Sequence, residues 1–570
     1  MIQNISQWIK NHEKIVVVLL TLVFVGMRLP GTDLPLHQDE YKWPKIVNPA
    51  VKSETEIPHP PLSQFIYREA GRVVGYDVHF RFVPLFFGTV NLLLLYYFLR
   101  MRFGKKVAFV GGALFTLSYF SVLASLMVDT DGQIMPFFFL LALIAYYKVK
   151  VTNGRNQIAW GIGLVLACIL GFFIKVSFML AIGALVADFL WERKSKLTTK
   201  DIMKYAGFGL LMIGGLFALL LIAQKVFSFF DLSTAVSYWE HFIQSNRNWF
   251  QTAIQVVKAL LYTSPFLVVL PFFLSAEKKK ELRPFIFYIF FGLIFYIILF
   301  DFSIGALDRY MQYLIVPLCA LSAVAIVSIW KSDTRKYTKE FLLLGTTIAL
   351  ILLYLAHIHH EVPSLHPKSA WIDRALSLKW NFLYPFSGGS GPLGFYMSFL
   401  FLALSWIITI VCAVVGYFKI DFRKKMLLVL IPVAFMYNGL FTEEYLWGGL
   451  YGSAPRLLSA VTAFIKDNSD IKYVTVYNDN GGNEIQEIGK YRKRLYTDPA
   501  FDINEKIASL NRYKEHYLEV NVPRIDPLSV YRKYLDSCQT IYEKTDKYIS
   551  AKVYDCRKVN DIAHPSGVGI

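Results

Sequence analysis

Charge is what the long apolar stretches of this sequence lack. The chain has 570 residues, 55% of them hydrophobic and 16% aromatic, and its apolar runs carry almost no charge at mid-depth. Runs of roughly 17–25 residues are each long enough to cross a bilayer as a helix, which excludes an ordinary soluble protein. The missing mid-depth acids count against an ion-coupled transporter, whose carboxylate relays sit near the bilayer midplane. The first apolar run lacks a small-residue cleavage site, so it is expected to open the series of spans and not to be a removable signal. Cysteine is scarce too, at five residues. Cys168, Cys319 and Cys412 lie inside apolar runs, where a thiol is a small hydrophobe. Cys538 and Cys556 bracket "QTIYEKTDKYISAKVYD", which reads as a β-hairpin. They would face each other across its open end and form a disulfide in an oxidising compartment. Internal repeats and low-complexity tracts are absent.

Thirteen apolar runs are present, centred on 14–27, 82–99, 106–126, 133–148, 157–174, 177–191, 205–224, 259–274, 285–301, 312–330, 340–357, 394–417 and 426–441. The net charge of +17 could suggest a nucleic-acid partner, but its distribution does not. Basic clusters occupy every second loop: "RMRFGKK" (100–106), "KVKVTNGR" (148–155), "WERKSKLTTK" (191–200), "EKKKELR" (277–283), "KSDTRKYTK" (331–339) and "KIDFRKK" (419–425). The positive-inside rule then puts the N-terminus in the cytoplasm, and an odd number of spans puts the C-terminus outside. The expected fold is an all-α polytopic membrane domain of about 13 transmembrane helices over 1–441. A small extracytoplasmic α/β domain follows over 452–570, where β-branched strands alternate with short helices. "NDNGGNE" in that domain lacks the spacing of either glycine-rich nucleotide motif and reads as a turn.

Three outer loops are long. The first, 28–81, contains "PPLSQFIYREAGRVVGY", with Leu62, Phe65, Ile66, Val73 and Val74 on one helical face and Gln64, Arg68 and Arg72 opposite. That pattern predicts a helix lying along the membrane surface, opened by proline. The second, 225–258, mixes Tyr238, Trp239, Phe242, Trp249 and Phe250 with polar residues, again interfacial in character. The third, 358–393, is rich in His, Pro and Gly and gives no clear signal.

The polar groups able to do chemistry gather on the outer side. They are Asp39 and Glu40 in "LPLHQDEYKW", Asp129 and Asp131 in "VDTDGQ", Lys175 in the tight hairpin "FFIKVS", and Asp308 to Tyr310 in "DRY". Each has a plain alternative. Asp39 and Glu40 fit a solvated loop pair, Asp131 fits the cap of the next span, and Lys175 fits a lysine snorkelling at a helix end. "HIHHE" (357–361) puts His357 and Glu361 on one helix face, but no companion cluster gives a recognised zinc spacing. No cofactor and no metal is expected.

The ordered set "DE" (39–40), "HPPL" (59–62), "RFVPLFFGTVNLLLLYYFLRMRFG" (81–104), "DTDGQIMPFFFLLAL" (129–143), "GFFIK" (171–175) and "RYMQYLIVPL" (309–318) resembles the GT-C glycosyltransferases. Within them it is similar to the protein O-mannosyltransferases and to their bacterial relatives that add aminoarabinose to lipid A. The resemblance covers roughly residues 10–330. It implies a sugar donor carried on polyprenyl phosphate, an acceptor that is protein, lipid or glycan, and inverting transfer at the outer face of the cytoplasmic membrane. It implies Asp39 as the base that takes the acceptor proton, with Glu40 orienting the acceptor or hydrogen-bonding nearby. His59, Lys175, Arg309 and the adjoining Tyr310 become candidates for the phosphate, whose growing negative charge needs fixed cations. Asp129 or Asp131 would fix a sugar hydroxyl or a loop of the site. The chain departs from the lipid A enzymes in having His59 where they have lysine, and it lacks the β-trefoil of eukaryotic mannosyltransferases. Two other readings stand beside this one, a flippase for lipid-linked sugars and an inactive scaffold of the same fold.

Overall fold

The computed structural model describes residues 11–561, apart from 38, 51–58, 196–197, 228–229, 243–247, 301–306, 332–337, 359–368, 387–392, 478–479 and 496–502. Helix dominates, because a chain surrounded by hydrocarbon must satisfy its own backbone N–H and C=O groups.

All thirteen apolar runs fall on helices, but length divides them. Among the described residues nine helices are long and apolar enough to cross a membrane, from Glu13–Gly31 to Ile420–Leu446. Two further runs are bent pairs: Lys105–Leu117 with Tyr119–Leu126 turns by 65°, and Trp249–Tyr262 with Pro265–Phe273 by 105°. The last two runs form Met179–Arg193 and Arg283–Leu299. A 15-residue helix such as Met179–Arg193 reaches only about 22 Å at ~1.5 Å per residue, short of a hydrocarbon core of ~30 Å. Among the described residues, then, nine helices have the length of a full crossing, or up to eleven with each bent pair taken as one span, beside the two shorter apolar helices.

Both bends have local causes. In the second, Pro265 starts a new helix and cannot continue the old one. In the first, Ser118 adopts an extended ψ of 125° and interrupts the ladder. Arg28 repairs the gap from the end of the first span. Its guanidinium donates to the Thr116 carbonyl (3.3 Å), to Ser121 Oγ (3.0 Å) and to the Phe24 carbonyl (2.8 Å), and it stacks 3.4 Å above the Phe24 ring.

The chain packs as two compact units. One comprises Met1–Thr32, Lys42–Thr338 and Cys412–Leu427; the other comprises Asp33–Tyr41, Lys339–Val411 and Leu428–Ile570. Hydropathy sorts residues by solvent, whereas these units are sorted by packing. Within the second unit, Tyr451 donates to the Ala356 carbonyl (2.7 Å) and Tyr396 to that of Asn521. The loop that gave no signal contributes the antiparallel strands Leu383–Phe386 and Phe395–Ser398 to this unit.

The C-terminal part carries a five-stranded mixed sheet. Its strands run in the order Tyr491–Leu495, Val474–Tyr477, His516–Val520, Ile549–Asp555, Gln539–Asp546. The first three are parallel and the last two form an antiparallel hairpin on His516–Val520. Cys538 and Cys556 close that hairpin as a disulfide with Cα atoms 4.7 Å apart. Tyr517, Tyr531, Tyr534, Leu535 and Tyr554 build a core around Cys556. Gly481, with φ of 87°, makes the turn into the helix Gly482–Glu487, where only a residue free of Cβ sits without strain.

Candidate active site

In the first unit the structure brings four of the expected residues into one buried quartet. The loop between the first bent pair and the span Ile134–Val151 presents Asp129 and Asp131. Lys175 is the single residue linking the helix Gly154–Ile174 to the turn Val176–Phe178. Arg309 arrives from the short helix Leu307–Tyr310 ahead of the span Ile315–Lys331. Lys175 Nζ lies 2.5 Å from Asp131 Oδ2, and Arg309 Nε lies 3.0 Å from Asp129 Oδ2. All four are buried. Tyr310 joins the two pairs: its ring lies 4.5 Å from Lys175 Nζ, and its hydroxyl accepts from Arg309 Nη2 at 2.7 Å. A snorkelling lysine would reach water, so the plain alternative for Lys175 does not describe its setting. Nor does Asp131 take the capping role: the next span's N-cap is Gln133, without a side-chain cap bond.

Burial opposes ionisation of both carboxyls. At Asp129 the charges of Arg309, Lys175 and His59 outweigh it, and the pKa falls below the ordinary carboxylate range. At Asp131 burial prevails, reinforced by the neighbouring Asp129 against Lys175 and Arg309, and the pKa is raised. Asp131 Oδ1 and Gln312 Oε1 are buried without a hydrogen-bond partner among the described residues. Gly132 lets these groups approach. A Cβ there would lie 2.5 Å from Gln312 Oε1 and 2.8 Å from the Ala124 carbonyl oxygen.

The helix Pro61–Val74 contacts this quartet through a residue that sequence reasoning passed over. Tyr67, on the helix Pro61–Val74, donates to the Asp129 carbonyl at 2.9 Å. Its ring packs against Trp43 (4.5 Å) and Phe80 (5.5 Å), and Trp43 stacks on His59 at 5.8 Å. The helix is amphipathic as expected, with Phe65 and Val73 exposed, but the protein-facing side carries Ser63, Gln64, Tyr67 and Gly71. The only available signal for Tyr67 was an aromatic on the polar side of that helix. In the segment 225–258, Trp249 and Phe250 are exposed; nothing is described for the side chains of Tyr238, Trp239 and Phe242.

Asp39 and Glu40 belong to the second unit and open the helix Asp39–Val47. Glu40 is buried and accepts from the His37 N–H at 3.0 Å, closing the turn into the helix. The bond lies at a helix start, where a carboxylate is favoured. Asp39 is half-buried in the first helical turn. Of "HIHHE", only His357 and Ile358 are described, so the candidate zinc ligands His359, His360 and Glu361 lie outside the described residues.

A multi-pass helical membrane part followed by a C-terminal mixed sheet is the fold this chain shares with solved membrane proteins. ArnT from Cupriavidus metallidurans in its apo state matches with a TM-score of 0.54 at 12% identity, over 97% of this chain and 99% of that one. The same protein bound to undecaprenyl phosphate gives 0.53 at 12% identity, with the same coverage. Residues 58–222 match the family described as dolichyl-phosphate-mannose-protein mannosyltransferase. That stretch holds His59, Asp129, Asp131 and Lys175, but neither Asp39 nor Arg309. No curated protein matches the chain in sequence.

Proposed function

We propose that this protein is an inverting glycosyltransferase that moves a sugar from a polyprenyl-phosphate donor to an acceptor at the outer face of the cytoplasmic membrane. The observation that carries the reading is the buried quartet, two cations and two acids beside the first outer loop. Asp39 takes the proton of the acceptor hydroxyl. The acceptor oxygen then attacks the anomeric carbon from the face opposite the phosphate, and the bond from that carbon to the phosphate oxygen breaks. The electron pair leaves on the lipid phosphate, whose charge Arg309 and Lys175 meet, with His59 as a third cation when protonated. Lys175 and Arg309 are held on Asp131 and Asp129 within one buried cluster, so the cations stand at fixed positions before the phosphate departs. Asp131 Oδ1 and Gln312 Oε1 are suited to accept hydrogen bonds from sugar hydroxyls.

Orientation follows the loop charges. With a cytoplasmic N-terminus, an odd number of crossings, such as the nine or eleven found among the described residues, carries the C-terminal sheet to the outer side. The sugar, and whether protein, lipid or glycan receives it, are set by the test. Purified wild type and Asp39→Asn in nanodiscs receive a panel of radiolabelled polyprenyl-phosphate sugars and crude envelope acceptor. Transfer by wild type and its collapse in the variant support the assignment. Equal transfer by both removes Asp39 from the chemistry. Movement of labelled lipid across sealed vesicles without transfer supports the flippase instead.

A further inference from the structure

An apolar groove of about 690 Å³ lies away from the quartet, among the helices Gly154–Ile174, Met179–Arg193 and Thr199–Val226. This is within the range of cavities that hold a discrete ligand, roughly 300–1,000 Å³. Leu164, Cys168, Leu185, Phe189 and Leu216 line it, and Gly215 stands where no atom comes within 4 Å of a would-be Cβ. A glycine facing open space in the middle of a helix costs helix propensity and fills nothing, so it leaves the groove wide.

One helical turn beyond Phe189 the surface changes sign. The Arg193 guanidinium sits 4.2 Å over the Phe189 ring and reaches Tyr205 Oη at 3.3 Å, while Lys194 lies 4.5 Å from the exposed Trp191 ring. These residues belong to the basic segment "WERKSKLTTK". The nearby acids are already engaged: Asp188 by Lys150 (3.1 Å), Arg283 (3.0 Å) and Tyr146 (2.7 Å), and Glu192 by Lys150 (2.8 Å). The mouth of the groove therefore offers cations beside interfacial aromatics, and its depth offers hydrocarbon.

The geometry points to a binding site for one anionic phospholipid at the basic ends of these spans. Its phosphate rests on Arg193 and Lys194, and an acyl chain enters past Phe189 toward Cys168. A headgroup with net negative charge gains from two cations at a membrane surface, whereas a zwitterionic one largely cancels that gain. The site is separate from the proposed sugar-transfer chemistry and does not depend on it.

Cys168 supplies the readout. With Cys412→Ser in place, Cys168 is the one half-buried free thiol and Cys319 is buried. Full-length protein in phosphatidylcholine nanodiscs, with phosphatidylglycerol raised from none to about a fifth of the lipid, is treated with an apolar maleimide. Phosphatidylglycerol should slow Cys168 labelling several-fold. Arg193→Gln with Lys194→Gln should raise the phosphatidylglycerol needed for that protection about tenfold, the loss of one strong charge-assisted contact. Gly215→Leu, which keeps both cations but fills the groove, should slow labelling irrespective of lipid. Labelling that ignores phosphatidylglycerol, or equal protection in the cation-less variant, overturns the proposal. Protection that tracks protein concentration instead would assign the groove to a second copy of the chain.

Discussion

Lys175 Nζ and Asp131 Oδ2 lie 2.5 Å apart, in side chains only 11% and 0% exposed. The pair joins the end of one span to the loop before another. Attraction between buried charges repays their desolvation only while both are present, and removal of one leaves the other stranded. Lys175→Ala should therefore cost about 3–5 kcal/mol. Lys175→Met with Asp131→Leu should recover much of that stability without restoring sugar transfer. Thermal melts in detergent alongside the transfer assay separate the two effects. A double variant as unstable as Lys175→Ala would show that the pair does more than cancel charge.

Gly132 sits where the quartet's loop crosses Gln312. A methyl at this position meets the Ala124 carbonyl at 2.8 Å, and backbone cannot swing aside as a side chain can. Gly132→Ala should cost about 1–3 kcal/mol by overpacking. It should also lower transfer, because the backbone shift displaces the loop that carries Asp129 and Asp131. Equal activity for wild type and Gly132→Ala would mean that the loop relaxes freely and does not hold the acids in place.

Tyr67→Phe tests whether the first outer loop is tied to the quartet. The change deletes one hydroxyl and leaves the buried Asp129 carbonyl without that donor. A loss of about 1–3 kcal/mol is expected for the stranded acceptor. Limited proteolysis of loop 28–81 should also quicken. An unchanged cleavage rate would show that the aromatic packing of Tyr67 with Trp43 and Phe80 is tether enough.

The span pattern was legible because hydrocarbon imposes one rule over some twenty residues at a time. Asp129, Asp131, Lys175 and Arg309 could be named because charges are conspicuous beside apolar runs. Their pairing could not be read, since it depends on which turn each residue ends. The 65° bend at Ser118 was invisible as well: the run 106–126 is uniformly apolar, and the guanidinium that stabilises its break comes from Arg28, nearly ninety residues away. Tyr67 and Gln312 escaped notice because their work lies in contacts between distant segments, and neither spacing nor charge marks them. In the C-terminal part the alternation of helix and strand was clear. The packing of Tyr451 against Ala356 was not, and it puts that part in one unit with spans that hydropathy had assigned elsewhere.

Across the hairpin, Cys538 and Cys556 close a loop of sequence separation 18. Closing a loop near this size restricts the unfolded chain by about 3 kcal/mol in the entropy model. Peptide mapping without reductant should recover the two cysteines as one linked pair. Cys538→Ser with Cys556→Ser should lower the melting of the sheet and leave the helical signal of the membrane part in place. Free alkylation of both cysteines in unreduced protein would discard the bridge.

Acid should unfold the C-terminal sheet in two stages, and two neighbours on its strands set them. His516 is buried, with Nε2 3.9 Å from Asp555 Oδ2. Burial lowers its pKa from the usual 6.5, more than the facing Asp555 raises it. The unfolded chain then binds this proton more readily than the folded one, so stability falls as pH drops below about 6.5 and levels off beneath the lowered folded value. Asp555 behaves oppositely in origin but alike in direction. Hydrogen bonds from Arg557, at 2.7 and 2.9 Å, hold its pKa at about 2, against the ordinary 3.8. Its contribution is complete above about pH 4 and is lost as pH falls toward 2. Melting temperature followed from pH 8 to 3 should show a first decline that His516→Gln removes and a second that Asp555→Asn shallows. If His516→Gln leaves the first decline intact, another group carries it.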